Sequence, residues 1–196
     1  MENTNQLKRE INAFLLEKGC YATYRHCITV GDYAEEIGQE FLNEEEREQV
    51  RIAGYLHDIS AIYPNNERIF VAEDMRIDLF KEERQFPMII HQRISRIMAQ
   101  REFGIQDEKI LSAISCHTTL KKKFSKVDLV LFVADKIRWD QEGQPPYLQE
   151  ITQALNSSFE AAAFSYIDYI LKHDIKVIHP WLLEAYEFLN LRRSSE

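Results

Sequence analysis

The sequence predicts an all-α, single-domain helical bundle, and three observations predict it. Apolar residues recur at three- and four-residue spacing along nearly the whole chain. Only 6 glycines and 5 prolines occur among 196 residues, too few for turn-rich β architecture. The most apolar run, residues 127–134, continues through Asp135, Lys136, Ile137, Arg138 and Trp139. That length suits a buried helix better than a short strand. With 45% hydrophobic residues, the chain can bury a real core as one compact domain.

Each element has its own signal. Leu7, Ile11, Phe14 and Leu15 define a first helix, and Gly19 is a stop. A second helix is expected over about residues 21–41, with His26, Val30, Tyr33 and Ile37 near one face. Asn43 caps a third, with Glu44, Glu45 and Glu46 favourable in its first turn. That helix carries Val50, Ala53, Gly54, Leu56 and His57, and its small residues allow a close neighbour just before the His-Asp pair. Pro64-Asn65-Asn66 is a break, and the charged stretch 67–85 reads as two short helices.

Pro87 fits the first turn of a helix carrying His91, Ile94, Ile97 and Met98, and Gly104 ends it. Asp107 starts another, through Ile110, Leu111 and Ile114 to His117. The apolar helix with Asp135 follows, then a loop over 141–146. Amphipathic helices over about 147–156, 158–172 and 180–193 complete the chain. No repeat or linker divides it. A core over about 20–140 is expected, with the helices of about 147–193 packed on it.

A net charge of −8 argues against broad binding to duplex nucleic acid. Cys20, Cys27 and Cys116 show no CxxC spacing, which suggests reduced thiols. The N-terminal segment MENTNQLKRE lacks the apolar centre of a signal peptide, and no apolar run approaches the roughly 20 residues that span a bilayer. A cytoplasmic location, with no membrane partner, is the expectation.

Four of the 6 histidines belong to one series: His26, the pair His57-Asp58, then His91, His117 and Asp135. Each sits in an apolar, helix-like stretch, where an ionisable group needs a reason to be. A single histidine on an apolar face is more often a satisfied core residue than a ligand. The series taken together points to a first-row metal such as Fe, Mn, Zn or Co. Adjacent residues on a helix point about 100° apart, so His57 and Asp58 reach one metal only at a helix end or irregularity. Residues 59–64, ending in Pro64, supply one.

The order H…HD…H…H…D resembles the signature of the HD-domain metal-dependent phosphohydrolases. The contexts AGYLHDIS and VLFVADKI strengthen that resemblance. Within the superfamily the chain looks most like the YqeK-type enzymes, which split diadenosine tetraphosphate symmetrically into two ADP. YRHCITVGDYAEEIG, REFGIQDEKILSAISCHTT and LKHDIKVIHP carry the likeness, which covers about residues 20–180.

The resemblance implies that His26, His57, Asp58 and Asp135 are primary metal ligands. It implies that His91 and His117 bind a second metal or contact substrate phosphates, so Asp58, His91 and His117 are the expected catalytic residues. Thr118 would contact phosphate, and Thr23 would line the nucleotide site. The implied cofactor is one or two divalent transition ions, iron first, with Mn, Co and Zn as alternatives.

The chain departs from the closer pattern where a lysine commonly follows the His-Asp pair, since Ser60-Ala61 stand there. Gln92-Arg93-Ile94-Ser95 replace a Gly-containing stretch after the third histidine. Residues 138–146 replace an acidic-Pro-Gly-Arg stretch, and 183–186 replace an Ala-Arg-Asn run.

Such a ligand set suits activation of water against phosphorus. Asp58 is the natural bridging carboxylate. Lys121, in the basic run Lys121–Lys123 with Lys126, and Arg93 are candidate phosphate partners, as is Arg138. The bland alternative for the run is a solvated loop. Trp139, Tyr147 and Trp181 are candidates for base stacking, against ordinary packing. His173 and His179 lie outside the signature. The expected partner is a nucleotide or dinucleoside polyphosphate, and a homodimer stays open. The alternative functions are another HD-type nucleotide phosphatase or phosphodiesterase, and a nucleotide-sensing module with little turnover.

Overall fold

The computed structural model describes residues 2–173 and 175–193. Among them are eleven α-helices, two 3-10 turns and no strand. The helices are α1 (Glu2–Glu17), α2 (Tyr21–Ile37), α3 (Glu44–Leu56), α4 (Arg68–Asp74), α5 (Lys81–Gln85), α6 (His91–Glu102), α7 (Glu108–Cys116), α8 (Lys126–Ile137), α9 (Leu148–Leu155), α10 (Phe159–Lys172) and α11 (Pro180–Arg193). The 3-10 turns cover Ile59–Ile62 and Pro87–Ile90.

Helix α8 is the axis of the bundle. Residues 127–134 are buried without exception, as expected for a helix that is apolar all round. Helices α2, α3 and α7 pack directly on it, and α10 covers it on the C-terminal side, carrying α9 and α11. Side-chain caps set where these helices start. Asn43 accepts from the Glu46 N–H while Glu46 accepts from the Asn43 N–H, a reciprocal box. Ser125 and Asp128 do the same for α8. Asp107 caps α7 and Ser158 caps α10. Gly19 and Gly104 take the left-handed backbone that ends α1 and α6, with φ +73° and +66°.

The crossing of α2 and α3 depends on two glycines. A Cβ on Gly54 would stand 2.4 Å from the Gly31 Cα, so neither position admits a side chain at this separation. That close approach brings the histidines of the two helices together.

Two boundaries differ from expectation. Helix α2 ends at Ile37 rather than near Phe41, because Leu42 folds back on Gly38 and its N–H bonds the Gly38 carbonyl at 2.8 Å. The missing side chain of Gly38 is what admits Leu42 there. Pro87 opens a 3-10 turn rather than the α-helix itself, which makes His91 the first residue of α6.

Candidate metal centre

Five elements deliver the six expected ligands to one place. His26 comes from α2, His57 and Asp58 from the end of α3, His91 from the start of α6, His117 from the end of α7, and Asp135 from the last turn of α8. The adjacency of His57 and Asp58 is resolved by the backbone. His57 is the last residue with helical geometry, and Asp58 leaves the helix at φ −115°, ψ 16°.

The Asp58 carboxylate divides the ligands into two groups. Its Oδ2 faces His57 Nε2 at 3.6 Å and His26 Nε2 at 3.9 Å. Asp135 Oδ1 completes that group, 3.3 Å from His26 and 3.4 Å from His57. Asp58 Oδ1 faces the other way, 3.2 Å from His91 Nε2 and 3.4 Å from His117 Nε2.

A shared device orients three of the rings. The Nδ1–H of His57 donates to the Gly54 carbonyl at 2.7 Å, that of His91 to Met88 at 2.5 Å, and that of His117 to Ile114 at 2.8 Å. Each carbonyl lies three residues back. At His57 and His117 it is freed because the helix stops there. With Nδ1 holding the proton, the neutral ring turns a bare Nε2 lone pair inward.

These lone pairs then face one another. His91 Nε2 stands 2.9 Å from His117 Nε2, and His26 Nε2 stands 3.2 Å from His57 Nε2. Asp58 Oδ1 is buried with no hydrogen-bond partner beside them. Inward-pointing acceptors this close together call for a cation or a proton between them. Ligands about 2.1 Å from a tetrahedral or octahedral ion stand roughly 3.0–3.4 Å apart, which matches most of these separations. Mixed imidazole and carboxylate donors suit a first-row divalent ion.

The electrostatics agree. Burial works against charge on Asp58, yet His57 and His91 hold its carboxyl well below the usual carboxylate range. Burial also opposes charge on Asp135, and the Lys136 ammonium, with His26, holds it well below that range. Burial pushes His117 down to about 4, so this ring is neutral at pH 7. Burial opposes charge on His57 too, but the Asp58 carboxylate raises its pKa well above the ordinary imidazole value. A cation bound at the centre would compete with a proton on His57.

A second layer fixes the ligands. Lys136 Nζ takes Asp135 Oδ2 at 2.6 Å and the His117 carbonyl at 3.1 Å, leaving Asp135 Oδ1 for the centre. Ser60 Oγ donates to the His91 carbonyl, and Ser95 Oγ donates to Ser60 Oγ, both at 2.9 Å. Gln92 is fully buried and accepts from the Thr118 N–H at 3.0 Å. Ser60, Gln92 and Ser95 stand out in the sequence only as departures from a pattern. Their partners lie on other elements, which sequence spacing cannot reveal. Lys136 had a readable signal, a lysine directly after Asp135 in the most apolar helix.

The expected substrate contacts fare differently. Thr118 sits beside the second group, its Oγ1 3.1 Å from His91 Nε2. Thr23 lies one turn before His26 and is half-buried, but the cleft beside His26 is lined by its neighbours Ala22 and Arg25 instead. Arg93 turns away to the buried Glu83 at 2.7 Å and lies over the Phe80 and Trp181 rings. Lys121 donates to Ser112 at 2.5 Å and faces Asp128 at 3.5 Å. Both cations are spent on holding helices together.

Two clefts open beside the centre. One, of about 420 Å³, is lined by His26, Arg25, Arg138, Trp139 and Leu148. The other, of about 220 Å³, runs from Thr118 along Met88, Tyr166, Ile170 and Leu182.

Comparison with known proteins matches residues 23–140 to the HD domain family. A Lactococcus lactis subsp. cremoris protein described as "Uncharacterized protein in pepC 5'region" is 44% identical over 87% of this chain and 86% of its own length. A protein of Halalkalibacterium halodurans named "Bis(5'-nucleosyl)-tetraphosphatase, symmetrical" is 27% identical over 87% of this chain and 90% of its own. The crystal structure of a predicted HD superfamily hydrolase involved in NAD metabolism, from Clostridium acetobutylicum, superposes with a TM-score of 0.83. It is 25% identical and covers 94% of this chain and 97% of that one.

Proposed function

Because the chain belongs to the HD domain family, whose members are metal-dependent hydrolases, we propose that it cleaves a nucleotide phosphoanhydride with metal-activated water. The first-choice substrate is diadenosine tetraphosphate, cut symmetrically to two ADP. The observation that carries the proposal is the division of Asp58, with one oxygen facing His26 and His57 and the other facing His91 and His117. A divalent ion bound there would lower the pKa of water from about 15.7 toward roughly 7 and offset charge on phosphoryl oxygens.

The chain's own residues have separate tasks. His26, His57 and Asp135 would hold one ion and His91 and His117 a second, with Asp58 between them. Lys136 keeps Asp135 ionised and fixes its rotamer. The Thr118 hydroxyl, at the edge of the second group, takes a phosphate oxygen. A two-ended substrate is favoured by the two clefts, since one reaches the centre at His26 and the other at Thr118. The name of the Halalkalibacterium relative points to the same substrate class.

Product analysis tests this. Protein loaded with iron, manganese or cobalt should convert diadenosine tetraphosphate to ADP alone. AMP plus ATP, or no turnover with any of the three metals, would contradict the proposal. A parallel screen of mononucleotides separates it from another HD-type phosphatase.

A further inference from the structure

Arg68 opens α4, and its side chain runs back toward the centre. Its Nε donates to the Tyr63 carbonyl at 3.1 Å and its Nη1 to the Met88 carbonyl at 3.0 Å. Tyr63 closes the 3-10 turn that leaves Asp58. The Met88 oxygen is the one that also accepts from His91 Nδ1 at 2.5 Å. The guanidinium therefore spans the two turns that present Asp58 and His91, one carbonyl away from the His91 ring.

Its partners set it apart. Arg51, Arg84, Arg93 and Arg96 each pair with a carboxylate within 4 Å, and so do Lys121 and Lys136. Arg68 is half-buried and anchored by two neutral carbonyls, with no carboxylate in ion-pair contact among the described residues. Burial disfavours its charge, and the Asp58 carboxylate, across a gap too wide for an ion pair, favours it. Of five guanidinium N–H groups, two are used by these bonds. A fixed cation, partly desolvated and lacking a protein counter-ion, is stabilised by an anion brought to it.

We infer that Arg68 is a phosphate-contacting residue, whose remaining N–H groups take an oxygen of the anion held beside Asp58, His91 and His117. This rests on the phosphohydrolase function proposed above. A planar fork suits phosphoryl oxygens, whose charge must be matched throughout the transfer, and the two carbonyl anchors fix its orientation before substrate arrives. Lys136 is committed to Asp135, and Arg138 lies over the Tyr33 ring in the cleft beside His26.

The test uses inorganic phosphate as probe and manganese-loaded protein. Arg68→Gln should stay folded and keep its metal, its melting temperature lowered by only about a few degrees for the two carbonyl bonds lost, while phosphate binding measured by calorimetry weakens about tenfold or more. Arg68→Lys should recover part of the loss, as a point charge without the fork. Unchanged phosphate affinity with metal retained would overturn the inference. So would loss of metal in the Gln variant, because Arg68 would then act through His91. If the Gln variant does not fold, the wild type decides: in zinc-loaded protein the Arg68 Nε–H resonance should move on adding phosphate, and a fixed resonance overturns the assignment. A wild type that binds phosphate through Arg68 yet cleaves no dinucleoside polyphosphate would refute the proposed substrate and leave this contact standing.

Discussion

At the scale of single residues, the centre is built from protons kept out of the way. Three histidines spend their Nδ1–H on a carbonyl three residues back, so each presents a lone pair inward. Lys136 serves Asp135 in the same spirit, by occupying the oxygen that the centre does not need. Lys136→Met should therefore weaken metal binding by about 10–100-fold in a chelator competition, with the fold retained. Equal affinity in the two proteins would show that Asp135 needs no such support. The ligands themselves are legible in the sequence, because histidine and aspartate inside apolar helices are anomalous one by one and coherent as a series. Gln92 and Arg68 are less legible. Their partners, the Thr118 N–H and the Tyr63 and Met88 carbonyls, lie on other segments, and the chain order does not carry that pairing.

At the scale of elements, helix ends do the positioning. Helix α3 stops at Leu56 and α7 at Cys116, so His57 and His117 fall where a free carbonyl is waiting. The Gly31–Gly54 contact sets the spacing of α2 and α3, and with it the separation of His26 from His57. Gly54→Ala should cost about 1–3 kcal/mol or more in denaturant unfolding, since the added methyl meets backbone rather than a side chain that can swing aside. An unaltered midpoint would mean the two helices part freely. Helix existence and two caps are readable here because Asn43 and Asp107 precede strongly periodic stretches, whereas the Ser125 and Ser158 caps come from the structure. The end of α2 is less so: its stop depends on Leu42 folding onto Gly38, a contact that periodicity alone does not encode. The 3-10 turn at Pro87 likewise looks like a helix start in sequence, and only the fold makes it a separate turn that presents His91.

At the scale of the whole molecule, a chain of net charge −8 brings two carboxylates, Asp58 and Asp135, together with four histidines. No helix among the described residues is long and apolar enough to cross a membrane. Metal uptake and protonation compete, and the sign follows from the pKa directions. His117, pushed down to about 4, is already neutral at pH 7. Asp58 and Asp135, held well below the ordinary range, are already ionised. His57, raised well above its ordinary value, favours a proton that a metal bound there would displace. Metal affinity should thus keep rising with pH through neutrality, and uptake at pH 7 should release a proton, measurable by calorimetry in buffers of different ionisation heat. Uptake with no proton release would mean that His57 is already neutral at pH 7.

The central claim is that Asp58 joins two metal subsites. Metal analysis after anaerobic iron reconstitution tests it most directly. The wild type should hold about two ions per chain, His117→Ala about one, and Asp58→Ala essentially none. A wild-type chain free of transition metal, or the same metal content in all three proteins, would contradict it.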